Sequence, residues 1–324
     1  MAPVRWGILG AAKFAQEHMA RAIHAAEGAE FAALATSSAE KAAPFQAFAP
    51  TITVHESYDA LLADASIDAV YIPLPNHMHV EWTLKALDAG KHVLCEKPIT
   101  LHASEFDQLI AARDRTGLLA AEAYMIVHHP QFEAARKLID EGDIGELRHV
   151  DVVFSFNNEL DAGNIRNKPD TGGGGLRDIG VYAFGSARFV TGAEPTEITH
   201  ADLTLENGVD VIARVGARFP GFSYGAFVSM RLYNRQHICF HGSSGSLTLT
   251  CPYNSNVFDQ AELILEQPGG VRNVQRWTGV NQYVLQVEAF CRAVHDGSDY
   301  ACPLEFSRGT QDMMDQVFVK GGVG

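Results

Sequence analysis

Through the first third of the chain, short apolar runs alternate with segments of helical period, and a glycine turn stands at the first junction. Val4–Leu9 predicts a buried strand and Lys13–Ala26 a helix; Phe31–Ala35 and Ala39–Phe48 repeat the pair. Ala69–Leu74 and His92–Cys95 predict two more strands. Between them His77–Ala89 predicts a helix that stops at Gly90. Ser104–Thr116 predicts another, stopping at Gly117 and followed by a strand over Leu118–Ala121. A helix between two strands is long enough for a parallel crossover, which points to βαβ units and a doubly wound parallel sheet.

The pattern changes near residue 125. After a helix over Gln131–Glu141, period-2 runs dominate: Ile198–Leu205, Val209–Phe219 and Phe222–Arg231, with turn signals at Asn207-Gly208 and Pro220-Gly221. Helices over Gln282–His295 and Phe306–Lys320 close the chain. The fold expected is α/β, an N-terminal Rossmann domain over residues 1–125, followed by an α+β domain with a mostly antiparallel sheet over 126–324. The last helix is a candidate to pack back on the first domain.

The chain carries 39 acidic against 25 basic residues in 324, a net charge of −14. With no basic cluster beyond a few residues, nucleic acid is not an expected partner. The five cysteines, Cys95, Cys239, Cys251, Cys291 and Cys302, form no C-x-x-C pair. That argues against a zinc ribbon or a disulfide framework and fits a reducing compartment. No apolar run reaches the roughly 18 residues of a membrane helix. The start of the chain runs straight into a strand, without the pattern of a secretory leader. A cytoplasmic protein is expected.

The first turn, Gly7-Ile8-Leu9-Gly10-Ala11-Ala12-Lys13-Phe14-Ala15, gives G-x-G-x-x-G in the form Gly10-x-Ala12-x-x-Ala15. A dinucleotide requires a tight turn here and then a helix N-terminus aiming N–H groups at the pyrophosphate. An ordinary strand-to-helix turn is the plainer reading, but the βαβ context favours a cofactor site at Gly10, Ala12, Lys13 and Phe14. At the end of the second strand stands Thr36-Ser37-Ser38-Ala39-Glu40-Lys41. With Ser37, Ser38 and Lys41 and no acid at the strand end, a 2′-phosphate is better served than a 2′-hydroxyl, so NADP is favoured over NAD. The same residues can also cap the next helix.

Glu96-Lys97-Pro98 follows His92–Cys95, at the sheet edge where ligands gather in parallel folds. A lysine there can aim its ammonium at a substrate oxygen, and Pro98 allows a cis peptide. Taken with Pro73-Leu74-Pro75-Asn76-His77-Met78-His79 and Ala89-Gly90-Lys91-His92, this segment closely resembles the Gfo/Idh/MocA oxidoreductases along essentially the whole chain. Glu122-Ala123-Tyr124-Met125 with His129-Pro130-Gln131, and Gly172–Gly175 with Leu176, Asp178, Gly180 and Tyr182, are similar to the D-xylose and dimeric dihydrodiol dehydrogenase subgroup. The resemblance implies a large open sheet in the second domain, and a homodimer or homotetramer. It places Pro73, Leu74, Asn76, His79 and Glu96 at the nicotinamide nucleotide, Lys97 at the reaction centre, and Tyr182 as acid/base. Ile126, Val127, His128 and Gly175 depart from the subgroup's pattern around the substrate pocket.

An alcohol that gives up a hydride must also lose its hydroxyl proton. Tyrosine ordinarily titrates near 10, and a neighbouring cation lowers that, so Lys97 and Tyr182 make a coherent pair. Asp178, four residues before Tyr182, can bind a sugar hydroxyl, orient Lys97 or cap a helix. His129 and Arg166 are further candidates to touch substrate, against plainer readings as a structural histidine and a solvated loop arginine. Trp6 reads as packing. His77 and His79, at i, i+2 with no third ligand, do not read as a metal site. The function expected is an NAD(P)-dependent oxidoreductase of a sugar or related polyhydroxy or carbonyl compound. A non-catalytic nucleotide-responsive sensor and a reductase of a non-sugar dicarbonyl or cyclic diol are the competing readings.

Overall fold

The computed structural model describes residues 2–161 and 163–323. The chain separates into two compact units, Met1–His128 with Asn281–Arg308, and His129–Val280 with Gly309–Gly324. A single cut near residue 125 would instead leave residues 281–308 with the second unit.

In the first unit, β1 (Val4–Leu9), β2 (Ala29–Ala35), β3 (Thr53–His55), β4 (Ala69–Ile72), β5 (His92–Cys95) and β6 (Ala120–Glu122) form one sheet. Its order is β3-β2-β1-β4-β5-β6 and every pairing is parallel. Strands covered on both faces need continuous apolar runs, and β4 is buried at all four positions. Helices α1 (Ala20–Ala25), α2 (Ala39–Gln46), α3 (Tyr58–Leu62), α4 (His79–Asp88) and α5 (Phe106–Thr116) are the crossovers. Leu9, Val70, Ile72, Val93, Ile99 and Leu109 are buried in one core cluster. Trp6 is a packing residue, with its ring 4.9 Å from that of Phe290.

The expected first helix is not uniform. A π turn over Ala15–Met19 precedes α1. Strand β3 and helix α3 were not expected. Three residues are too few to show a period, and Tyr58–Leu62 is barely more than one turn.

The second unit holds α6 (Pro130–Asp140), β7 (Leu147–Asn157), α7 (Val181–Thr191), β8 (Glu197–Glu206), β9 (Val209–Phe219), β10 (Phe222–Ser229), β11 (Arg231–Gly242), β12 (Ser246–Leu249), β13 (Ala261–Gln267) and β14 (Val271–Trp277). The eight strands run in the order β14-β13-β12-β11-β7-β10-β9-β8, antiparallel except for β7 against β10. Alternation sorts the faces. Val150, Val152, Ala213, Val215, Ala226 and Phe240 are buried, while Asp151, Arg214 and Arg218 are exposed. The Tyr224 hydroxyl donates to the Ala183 carbonyl at 2.9 Å, tying the sheet to α7. Helix α8 (Gln282–Asp296) belongs to the first unit, and α9 (Leu304–Lys320) contributes its start to the first and its remainder to the second.

Candidate active site

In the first unit, the chain leaves β1 through Gly10, whose φ of +104° only glycine adopts without strain. A Cβ there would also lie 3.1 Å from Leu74 Cδ2 and 3.3 Å from the Tyr58 hydroxyl. The backbone is thus held close to the end of β4, where the chain order reverses and dinucleotides bind in sheets of this order. Ala12 stands at the helix start, where its carbonyl accepts from Gln16 N. Lys13 is exposed and lies 3.7 Å from Glu17. Phe14 is exposed against His18 and Tyr283.

Beyond β2, Ser38 caps α2 by accepting from Lys41 N at 3.2 Å. Its hydroxyl proton is still available to an anion. Ser37 and the Lys41 side chain face solvent. Among Thr36, Ser37 and Ser38 no carboxylate occupies the strand end. This is a surface a 2′-phosphate fits.

Pro73, Leu74 and Asn76 follow β4, and His79 opens α4. His79 is fully buried. Its Nδ1 lies 2.7 Å from the Pro98 carbonyl and its Nε2 2.7 Å from the Leu74 carbonyl. It therefore straps the turn after β4 to the turn after β5. Burial drives its pKa down to about 4; the two carbonyls pull the other way and lose, and the Lys97 and His77 charges add to the depression. The ring is neutral at pH 7, so only one of its nitrogens donates.

The Lys97–Pro98 peptide is cis. The Ile99 N–H donates to Glu122 Oε1 at 2.9 Å, and the Tyr71 hydroxyl to Glu96 Oε1 at 2.5 Å. Burial raises the Glu96 pKa, against the opposing pull of Lys97 and the Tyr71 hydroxyl. The Glu96-Lys97-Pro98 turn is thus fixed from three sides, by Tyr71, His79 and Glu122. The roles of Tyr71 and Glu122 escaped the sequence reading. A tyrosine and a glutamate inside otherwise apolar strands were the available signal.

In the second unit, α7 is preceded by a π turn over Leu176–Gly180. Asp178 lies inside that turn and Tyr182 in the first turn of α7. The capping reading of Asp178 is therefore overturned, because the N-cap position is Gly175. Asp178 Oδ2 instead accepts from Arg166 Nε at 2.6 Å. Nor is Arg166 a solvated loop arginine: it is half-exposed and ion-paired. Tyr182 is buried, its ring stacked on Tyr253 at 5.8 Å and tilted against Phe154 at 6.1 Å.

Asp210 of β9 is a further residue the sequence reading missed, although a lone carboxylate between Val209 and Val211 was visible. It is buried and its Oδ2 accepts from Leu176 N at 2.7 Å. Burial pushes its pKa up to about 6, against the Leu176 hydrogen bond and the Arg177 charge. His129 is the N-cap of α6, with Nδ1 accepting from Gln131 N at 3.2 Å. Its Nε2 is buried, and desolvation lowers its pKa to about 4.

Among the described residues, no group of three His, Cys, Asp or Glu is arranged to hold a metal ion. All five cysteines are unbridged. No described helix is long and apolar enough to cross a membrane.

The chain matches two profiles, the oxidoreductase family NAD-binding Rossmann fold over residues 4–124 and the GFO/IDH/MocA C-terminal domain over residues 132–248. It is 36% identical to a dTDP-3,4-didehydro-2,6-dideoxy-alpha-D-glucose 3-reductase of Streptomyces violaceoruber, over 90% of this chain and 85% of that one. It is 32% identical to D-xylose 1-dehydrogenase (NADP(+)) 2 of Haloferax volcanii, over 98% of both. Its backbone is similar to a 3-ketoreductase from Actinomadura kijaniata solved with NADP and TDP-benzene, with a TM-score of 0.90, 31% identity and 98% of both chains covered. With a Rossmann sheet, a mostly antiparallel partner sheet and relatives alike over nearly the full length, this chain belongs to the Gfo/Idh/MocA family of NAD(P)-dependent, sugar-related oxidoreductases.

Proposed function

We propose that this protein interconverts an alcohol and a carbonyl on a sugar or related polyhydroxy compound, with NADP preferred over NAD and with Lys97 and Tyr182 handling the proton. The bound nicotinamide supplies or accepts the hydride. Gly10, Ala12, Lys13 and Phe14 would hold the pyrophosphate end. Ser37, Ser38 and Lys41 would hold a 2′-phosphate, and Pro73, Leu74, Asn76, His79 and Glu96 the nicotinamide side.

The observation that carries this reading is the three-sided fixing of the Glu96-Lys97-Pro98 turn at the carboxyl ends of the strands. A lysine held on so constrained a turn keeps its ammonium where charge develops on a substrate oxygen, and such preorganised charge lowers the barrier. Tyr182 gives its phenolic proton to the nascent alkoxide in reduction and takes it back in oxidation. The Lys97 cation favours the phenolate in that exchange. Asp178, held by Arg166, accepts a substrate hydroxyl proton in a hydrogen bond. The stacked rings of Tyr253 and Phe154 keep water from Tyr182. A homodimer or homotetramer is part of the same reading, since the second sheet keeps one open face.

The test is nicotinamide absorbance with NADP and NAD in parallel, across aldoses, keto sugars, inositols, dicarbonyls and cyclic diols. Turnover of an aldose or keto sugar, faster with NADP, is expected. Lys97→Ala and Tyr182→Phe should each cut turnover by about 100-fold or more while leaving cofactor Kd within about threefold. The double variant should fall little below the worse single one, because the two act as a unit. Wild-type turnover in either single variant removes the pair. Cofactor binding with turnover of nothing in the panel favours the sensor instead.

A further inference from the structure

The π turn that carries Asp178 begins without a side-chain cap of its own, since its N-cap residue is Gly175. A helix start leaves several N–H groups unpaired unless something accepts from them. Here the acceptor comes from another element, as Asp210 of β9 reaches Leu176 N at 2.7 Å. The glycine run makes that reach possible. A Cβ on Gly174 would lie 2.2 Å from Asp210 Oδ1, and Gly174 has φ of +119°. A Cβ on Gly173 would lie within 2.8 Å of the carbonyls of Ile165, Arg166 and Lys168. The turn is therefore pressed between the Asp210 carboxylate and the loop that carries Arg166, and Arg166 in turn holds Asp178.

We propose that Asp210 is a positioning residue for the reaction, a cap supplied across the sheet that sets where the turn bearing Asp178 and the following turn bearing Tyr182 lie. It touches no reacting atom. A negative charge at a helix start suits the exposed N–H groups and the helix dipole. A displacement of about 1 Å at a proton-transferring group is worth roughly 100-fold in rate, so a cap on the turn that runs directly into the helix bearing Tyr182 has catalytic leverage. The inference rests on Tyr182 being the proton-transferring group.

Asp210→Val keeps a strand former in β9 and removes the acceptor; Asp210→Asn keeps an acceptor oxygen and removes the charge. Amide hydrogen exchange, followed by mass spectrometry, reads the turn without any substrate. In Asp210→Val, peptides spanning residues 172–184 should exchange at least about 10-fold faster, with peptides from β4 and β5 unchanged. On the fastest substrate of the panel, kcat per folded molecule should fall about 30- to 100-fold with KM for the cofactor within twofold. The solvent deuterium isotope effect on kcat should rise as proton transfer at Tyr182 becomes limiting. Asp210→Asn should fall between wild type and Val in both readouts, and it carries the test if the Val variant does not fold.

Unchanged exchange over 172–184 overturns the proposal. So does a kcat loss that only tracks the unfolded fraction with an unchanged isotope effect. If Tyr182→Phe turns over normally while exchange responds as expected, the assignment of Tyr182 fails and the cap stands as structure alone. If Tyr182→Phe is dead and Asp210→Val is normal, only the cap fails.

Discussion

A single imidazole does much of the organising in the first unit. His79 bridges the Leu74 and Pro98 carbonyls, so the two turns flanking the expected nicotinamide position cannot move independently. His79→Ala removes the one hydrogen bond the neutral ring donates and leaves that carbonyl buried without its donor, at a cost of about 1–3 kcal/mol. The expected outcome is a lower urea midpoint together with a weaker NADP Kd, measured by titration calorimetry. His77→Ala, two residues away and exposed, should change the midpoint little. In contrast, nothing in the sequence distinguishes His79 from His77 except the family segment that contains them. The bridge depends on residues 19 positions apart, and local pattern carries no information about it.

Among the elements, α2 tests whether capping and cofactor choice can be separated. Ser38→Ala removes the cap and should cost about 1 kcal/mol of stability while also weakening NADP relative to NAD. Lys41→Ala leaves the cap intact, because Ser38 accepts from the Lys41 backbone N–H. Its effect should be confined to the NADP:NAD ratio of kcat/KM, lowered about 10-fold. Equal losses for both cofactors in Lys41→Ala would move the 2′-phosphate elsewhere. At this scale the long alternating segment Val209–Phe219 and the short apolar run His92–Cys95 fall where their residues put them. The π turns before α1 and α7 were not. Their i→i+5 bonding leaves no mark in the side-chain period. The Arg166–Asp178 pair was hidden for the same reason, since loop geometry decided it.

For the whole molecule, pH bears on stability through two buried histidines, His79 and His129, and the half-buried His128. Burial lowers His79, His128 and His129 to about 4 from the ordinary 6.5, with Arg292 adding to the effect at His128. Between those values the unfolded chain binds protons that the folded one refuses, so stability is full above about pH 6.5 and is lost as pH falls toward 4. Asp210 acts oppositely. Raised to about 6, it binds a proton in the folded state first, and offsets one of the three as pH falls through that region. Unfolding near pH 5 should take up about two protons from this set, a slope of roughly 2.7 kcal/mol per pH unit. Urea denaturation at pH 7, 6 and 5 checks it; a flat profile would mean these rings reach water.

The eight-stranded sheet ends in β8 on one side and β14 on the other. Each edge is laced to its neighbour by opposite charges, Asp202 and Glu197 to Arg214 and Arg218 on one side, Glu262 and Glu266 to Arg276 and Arg272 on the other. Exposed pairs of this kind add little to folding energy. Their consequence is protective. An open edge of unpaired N–H and C=O groups invites a foreign strand, and charged side chains along it make that addition costly. The same acid–base borders that look like ornament on a stable sheet thus keep a crowded population of these chains from polymerising edge to edge.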